Sequence, residues 1–387
     1  MIRRATGITK PRNKKVSYTP KTAPKTVKLR DQVWSTSLMD IVTSSDIVHK
    51  LRTDGFLPTT WTCCPHCGTK SITKDKQGGG RCRLKACNKP FHPTTGHLIF
   101  KTGHGCTPLQ TQAGILYNAV LGVLQSHTQK QFNVNKKVVS DIYRSWSQVR
   151  ALDVSIRQKS MTVGGNKTWT QVEADEVTVS KMRETPDNKK NKSLKAVSKK
   201  KLLQIVSKKK KNKKQVVKVR WNQFFGMMER GRPETLIVHR MPSRVTGPRA
   251  PGPGPITKKW WLPVGNKYLK GRNIVLHTDG AKAYKAPIEG VRHTVVVHKK
   301  KFVNGKWISP KFVKEVIADL SGKETMLLAG TQFIDGWWRI LRAQLKTMNT
   351  SSPEHVWESV RAAQWRHWHQ GQDLWLAAGE ALNRLRK

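Results

Sequence analysis

Apolar positions along this chain follow two rhythms. A helical period of 3.6 runs through residues 108–150, where Leu109, Ile115, Leu116, Val120, Leu121 and Leu124 share one face. A turn at Asn133–Asn135 and a second helix over Lys136–Val149 follow. A short helix, a turn and an amphipathic basic helix suggest a helix-turn-helix-like segment over 108–155, with two plain core helices as the bland alternative. A period of two then takes over. Strands are expected at 168–179, 216–225, 235–240, 271–278 and 291–297. The helical period returns late, in a stripe of Ile334, Trp338, Leu341 and Leu345, and in a helical tail over 353–387. Trp357, Trp365, Trp368 and Trp375 in that tail read as packing residues. Residues 31–60 read as a helical lead-in, broken by Asp54-Gly55 and Pro58.

Charge changes the picture. The chain carries 73 Lys and Arg against 24 Asp and Glu, a formal charge of +49. Such an excess repels itself unless a polyanion is the partner, which points to nucleic acid. No apolar run is long enough to span a bilayer. Residues 1–30 read as a disordered basic arm, and the acid-free stretch 3–30 is also compatible with an organellar transit peptide. A Lys-rich insertion over 180–215, with Lys199–Lys201 and Lys208–Lys211, interrupts the strands. It suits tracking of phosphates or nuclear import. On that basis Lys136 and Lys137 of the helix-turn-helix-like segment are candidate DNA contacts.

Six cysteines in a chain without a secretory signal argue for metal over disulfides. Cys64-Pro-His-Cys67 and Cys82-Arg-Leu-Lys-Ala-Cys87 supply two thiolate pairs on two knuckles, as a tetrahedral structural Zn²⁺ requires. A zinc ribbon is expected over 61–100, because a segment of about forty residues cannot build a stabilising core alone. Gly78–Gly80 suits its central turn. Cys63 is a less well spaced substitute for Cys64; His66 and His92 are expected outside the ligand set; Cys106 is read as an ordinary thiol.

Acids are scarce, so Glu173, Asp175 and Glu176 stand out in one strand. Alternation puts Glu173 and Asp175 on one face and Glu176 on the other. Asp279 follows the strand 271–278, and Asp335 opens the late helix, with Arg339, Arg342 and Lys346 beside it. An acid in mid-strand, one at a strand end and one on a flanking helix match a ribonuclease-H-like core. Asp175, Asp279 and Asp335 would there hold two Mg²⁺ or Mn²⁺ ions about 3.5–4 Å apart. The fold class expected is α/β. A ribonuclease-H-like core over 165–350, with a mixed five-stranded sheet, follows the zinc ribbon and the helix-turn-helix-like segment.

Four segments in order resemble the zinc-ribbon insertion-sequence transposases of the three-acid (DDE) type and their Merlin-like eukaryotic relatives. They are Cys64–Gly96, Val172-Glu-Ala-Asp-Glu176, His277-Thr-Asp-Gly-Ala-Lys-Ala-Tyr284 and Thr331-Gln-Phe-Ile-Asp-Gly-Trp-Trp338. The resemblance runs from about residue 40 to 346. It implies metal-dependent nicking at element ends and strand transfer into target DNA, with terminal inverted repeats bound by a homo-oligomer. It places the chain in a eukaryotic nucleus, or in the cytoplasm or nucleoid of a bacterium. The chain departs from the family at Asp335, where Glu or Asn is usual, at Arg342, where Lys is usual, and in its Lys-rich and Pro/Gly-rich insertions. A domesticated, catalytically inactive DNA-binding protein is the rival reading.

Overall fold

The computed structural model describes residues 34–75, 78–165, 169–184, 218–296, 301–308, 314–318, 324–345 and 352–386. The basic arm, the Lys-rich insertion beyond Glu184 and Lys346 lie outside the described residues.

The lead-in forms two short helices, α1 (Leu38–Val42) and α2 (Ile47–Thr53). Ser37 and Asp40 form a reciprocal capping box on the first, and Asp46 caps the second. Three short strands follow, β1 (Ile72–Lys74), β2 (Gly80–Cys82) and β3 (Pro90–Phe91), paired antiparallel in that order. Helices α3 (Leu109–Leu121), α4 (Gln125–Phe132) and α5 (Lys136–Ser160) come next. Gly122 ends α3 in the left-handed region at φ 85°, and Asn133 ends α4 there at φ 48°. The turn falls where the sequence predicts it, but α5 continues to Ser160, past the expected end at Val149. The extra turns are held by Asp153 and Gln158, both buried. Asp153 accepts from Arg384 Nε (2.8 Å) and Trp365 Nε1 (3.1 Å), and Gln158 bonds both the N–H and C=O of Val238.

The main sheet is mixed and six-stranded. Its strands are β4 (Thr170–Glu184), β5 (Lys218–Glu229), β6 (Ile237–Arg240), β7 (Arg244–Thr246), β8 (Ile274–Thr278) and β9 (Val291–Val295). The order is β6-β5-β4-β8-β9, with β7 on β5. β4 pairs antiparallel with β5 and parallel with β8, which pairs parallel with β9. All five expected strands are present; β7 was not anticipated. Helix α6 (Lys258–Leu269) crosses between β7 and β8. Two lone hairpins, β10 (Lys301–Val303) with β11 (Lys306–Ile308) and β12 (Lys314–Ala318) with β13 (Glu324–Leu328), precede α7 (Gln332–Leu345). Helices α8 (Pro353–Trp368) and α9 (Leu374–Leu385) form the tail. No helix among the described residues is long and apolar enough to cross a membrane.

Alternation along the central strands separates two cores. Val177, Phe224 and Met228 lie on the side of α7 and α8, in a core that extends through α5 and α3 to the lead-in helices. Val172, Ala174, Phe225 and Met227 face the other way, against Trp261 and Tyr268 of α6. Trp365, Trp368 and Trp375 are buried in the first core, so the tail tryptophans are packing residues. The sheet therefore lies between two helical layers, with the end of β8 left as a rim.

Candidate functional site

That rim arises from unequal strand lengths. β8 pairs with β4 only through Thr170–Glu173 and ends at Thr278, while β4 runs on to Glu184. Past Glu173, no strand among the described residues pairs with β4 on that side, and Asp279 is the first residue beyond β8. Asp175 and Glu176, though on opposite faces of β4, reach this open notch together. Carboxylate oxygens of Asp175, Glu176 and Asp279 lie within 4.8 Å of one another. Asp279 is fixed by a hydrogen bond from the Ala281 N–H to its Oδ1 at 3.0 Å. Glu176 is fixed by Tyr284, whose hydroxyl donates to Oε1 at 2.6 Å. The Tyr284 ring is itself held edge-on to Trp261, 5.0 Å between centroids.

The cluster differs from the expected triad by one member. Asp335 stands outside this tight group. It is exposed on the first turn of α7, and its Oδ2 accepts from Thr331 Oγ1 at 3.0 Å. Its charge nevertheless acts on Asp175. Arg339 and Arg342 are exposed further along α7, and Lys136 and Lys137 are exposed at the start of α5, where Lys137 pairs with Asp141 at 2.7 Å.

Glu173 has a separate role. It is fully buried, and its Oε2 accepts from the N–H groups of Phe333 (2.7 Å) and Ile334 (3.0 Å) in the first turn of α7. Those N–H groups have no partner inside the helix, and the positive end of the helix dipole favours a carboxylate there. Arg230 donates to Glu173 Oε1 (2.7 Å), Gln171 Oε1 (2.8 Å) and the Gly330 carbonyl (2.6 Å). Burial still raises the Glu173 carboxyl, against the opposing pull of Arg230 and the two amides. The network seats α7 on the sheet, which sets where Asp335 stands.

Gly226 sets how closely α7 sits. It lies opposite Asp175 in the β4–β5 register, and a Cβ there would fall 2.7 Å from Trp338 Cζ2. Gly226→Val is expected to push α7 off the sheet and to cost about 1–3 kcal/mol, as overpacking does. Urea unfolding checks this; an unchanged midpoint would mean that α7 yields without cost.

The acids are crowded electrostatically. Burial, then the charges of Glu176, Asp335 and Asp279, push Asp175 up to about 8. Burial also lifts Glu176 to about 7, with Asp279 adding to the rise and the Tyr284 hydrogen bond opposing it. Folding thus tightens proton binding at both groups. The metal-free chain loses stability as pH rises from the ordinary carboxylate range near 4 through about 8. A dication reverses that loss by replacing the protons. Added Mg²⁺ is therefore expected to raise the thermal midpoint by several degrees at pH 8.5 and hardly at all at pH 5.5. Melting curves at the two pH values check it, and equal increments would speak against a carboxylate site.

A second cluster lies in the three-stranded segment. Sγ atoms of Cys64 and Cys87 are 3.9 Å apart and those of Cys67 and Cys82 3.6 Å, with all four residues in one group. Metal–sulfur bonds of about 2.3 Å in a tetrahedron put sulfurs about 3.8 Å apart, so the cluster is compatible with zinc. Cys63 is outside it. His66 Nε2 bonds the Pro90 carbonyl and His92 Nδ1 bonds Thr94 Oγ1, so neither ring joins the sulfurs. Cys106 is exposed.

Comparison with known protein families, with curated proteins and with solved structures returns no match.

Proposed function

We propose that this chain is a DNA transposase that cuts and joins strands with divalent metal, on a ribonuclease-H-like core. The observation that carries the reading is the convergence of Asp175, Glu176 and Asp279 at the open end of β8. An acid from mid-strand, one from a strand end and the helix acid Asp335 nearby keep the order that such cores use. When bound, two Mg²⁺ or Mn²⁺ ions would activate the attacking water or 3′-hydroxyl and stabilise the leaving oxygen. The chain's own part is to hold hard oxygen ligands in a fixed array. Asp175 and Asp279 do so from the sheet, Glu176 through Tyr284, and Asp335 from a helix anchored by Glu173. A structural Zn²⁺ on Cys64, Cys67, Cys82 and Cys87 would order residues 61–100 for DNA contact. The charge of +49 suits a phosphate backbone, with Arg339, Arg342, Lys136 and Lys137 as contacts. The nucleus or nucleoid is the compartment that fits this substrate.

One observation favours the second reading, a DNA-binding protein that no longer cuts. Asp335 is the shorter acid at its position and stands outside the tight group. A single assay separates the two. The purified chain is incubated with duplex DNA carrying its own element ends and with Mg²⁺ or Mn²⁺, and nicks and joined products are resolved on a denaturing gel. Transposase activity predicts both products. Specific binding without either product selects the second reading.

A further inference from the structure

Helices α5 and α8 pack side by side, yet part of their seam is polar. Ser140, Arg144, Ser147 and Arg150 fall on one face of α5, and Ser359 and Arg366 face them from α8. Apolar side chains at these positions would have closed the seam. Instead it opens into a cavity of about 610 Å³, bounded on a third side by the end of α7. The charged and titratable groups that line it are Tyr143, Arg144, Arg150, His355, Glu358 and Arg366; α7 adds only Gln344 and Leu345. Three guanidiniums thus face one carboxylate.

The cationic groups are incompletely partnered. Arg150 Nε is buried without a hydrogen-bond partner, and so is Glu358 Oε1. The Arg150 guanidinium lies over the Trp146 ring, 5.3 Å from its centroid, which fixes its position without neutralising it. Arg366 donates from Nη2 to the Leu121 carbonyl at the end of α3 (3.1 Å). Burial, then the neighbouring charge of Arg366, lowers Arg150 to about 10, with Glu358 opposing. Desolvated positive charge of this kind is costly until an anion arrives.

We propose that this cavity binds a phosphate group, held by Arg144, Arg150 and Arg366. Guanidinium forks match phosphate oxygens in pairs, and the Ser147 hydroxyl suits a remaining acceptor, those of Ser140 and Ser359 donating to Gln125 and the His355 carbonyl. The source favoured is the DNA backbone, because Lys136, Ser140, Arg144 and Ser147 form one stripe along α5 from its exposed start into the cavity. That choice of source rests on the nucleic-acid reading above; the phosphate chemistry does not.

The test uses the full chain and two variants, Arg144→Gln with Arg150→Gln, and Glu358→Gln. Binding to a duplex of arbitrary sequence is measured by fluorescence anisotropy across a salt series. The double variant is expected to lose about tenfold in affinity near 0.1 M salt, and about 1–2 from the slope of log K against log salt. Glu358→Gln, which removes the one repelling charge, is expected to tighten binding severalfold, an effect that a purely structural glutamate would not give. Thermal midpoints in inorganic phosphate and in chloride at equal ionic strength identify the other source. A phosphate-specific rise, lost in the double variant while duplex binding stays unchanged, means that the site takes free phosphate. If neither the duplex series nor the phosphate melts respond to the variants, the proposal is overturned. If the double variant misfolds, unchanged anion binding in Glu358→Gln overturns it alone. No readout involves strand cleavage, so an inactive chain leaves the test intact.

Discussion

Asp175→Asn is expected to abolish Mg²⁺-dependent nicking, a loss on the order of a thousandfold, while duplex binding stays intact. The substitution exchanges one carboxylate oxygen for NH₂ at almost constant volume. On the proposed reading it removes a negative ligand from a group that would neutralise dications beside a phosphate. It also relieves the crowding that drives Asp175 up to about 8, since Glu176, Asp279 and Asp335 lose a like-charged neighbour. The same variant should therefore melt higher than the parent without metal at pH 8, and gain less from Mg²⁺. Lost activity with raised metal-free stability marks a ligand, whereas a residue that merely supports the fold would lose both. Asp279→Asn should behave alike. Full nicking by Asp175→Asn would remove the cluster from the chemistry. Asp335→Asn is expected to show the smaller loss, because Asp335 is exposed and outside the tight group.

Cys82→Ser should release the metal and unfold residues 61–100. The strands there are three, three and two residues long, and apart from Ile99 and Phe100, which join the main core, the aromatic packing around them is Phe91 against Trp61, 6.0 Å between centroids. Such pairing is far too small to offset chain entropy, whereas a structural Zn²⁺ supplies about 10–16 kcal/mol. Elemental analysis should find one zinc per chain in the parent. Less than about half an equivalent there, or unaltered amide protection over 61–100 in the variant, would count against a structural metal. The sheet, with its own core, should keep its protection either way.

What could be read in the sequence was what local chemistry determines. The cysteine spacing, the alternation in β4 and the apolar stripe of α7 each depend on residues close in the chain, and each is legible. The face assignment of Glu173, Asp175 and Glu176 also holds. What alternation cannot tell is that β8 stops short, so that residues on opposite faces of β4 reach one notch. Glu176 joins the acids for that reason, with Tyr284 as its anchor. Glu173 and Arg230 were illegible as the seat of α7, because a buried ion pair is defined by elements distant in sequence. Gly226 reads as an ordinary interruption until Trp338 is seen above it. Helix α6 is hidden by Pro263 and Gly265, which local propensity counts against a helix. The β10–β11 turn did carry a signal, since Asn304-Gly305 has positive φ at both residues and is a strong hairpin mark.

The parallel pairing of β4 with β8 has a kinetic consequence. Parallel neighbours cannot be joined by a tight turn, and here β5, β6, β7 and α6 all intervene between them. Loop closure over such a span is slow and comes late, after the antiparallel hairpin of β4 and β5 has a surface to offer. Until then Asp175 and Glu176 have no Asp279 beside them. A nascent or partly unfolded chain therefore lacks the carboxylate array proposed to hold a dication, and on that proposal the cutting activity would arrive only with the completed sheet.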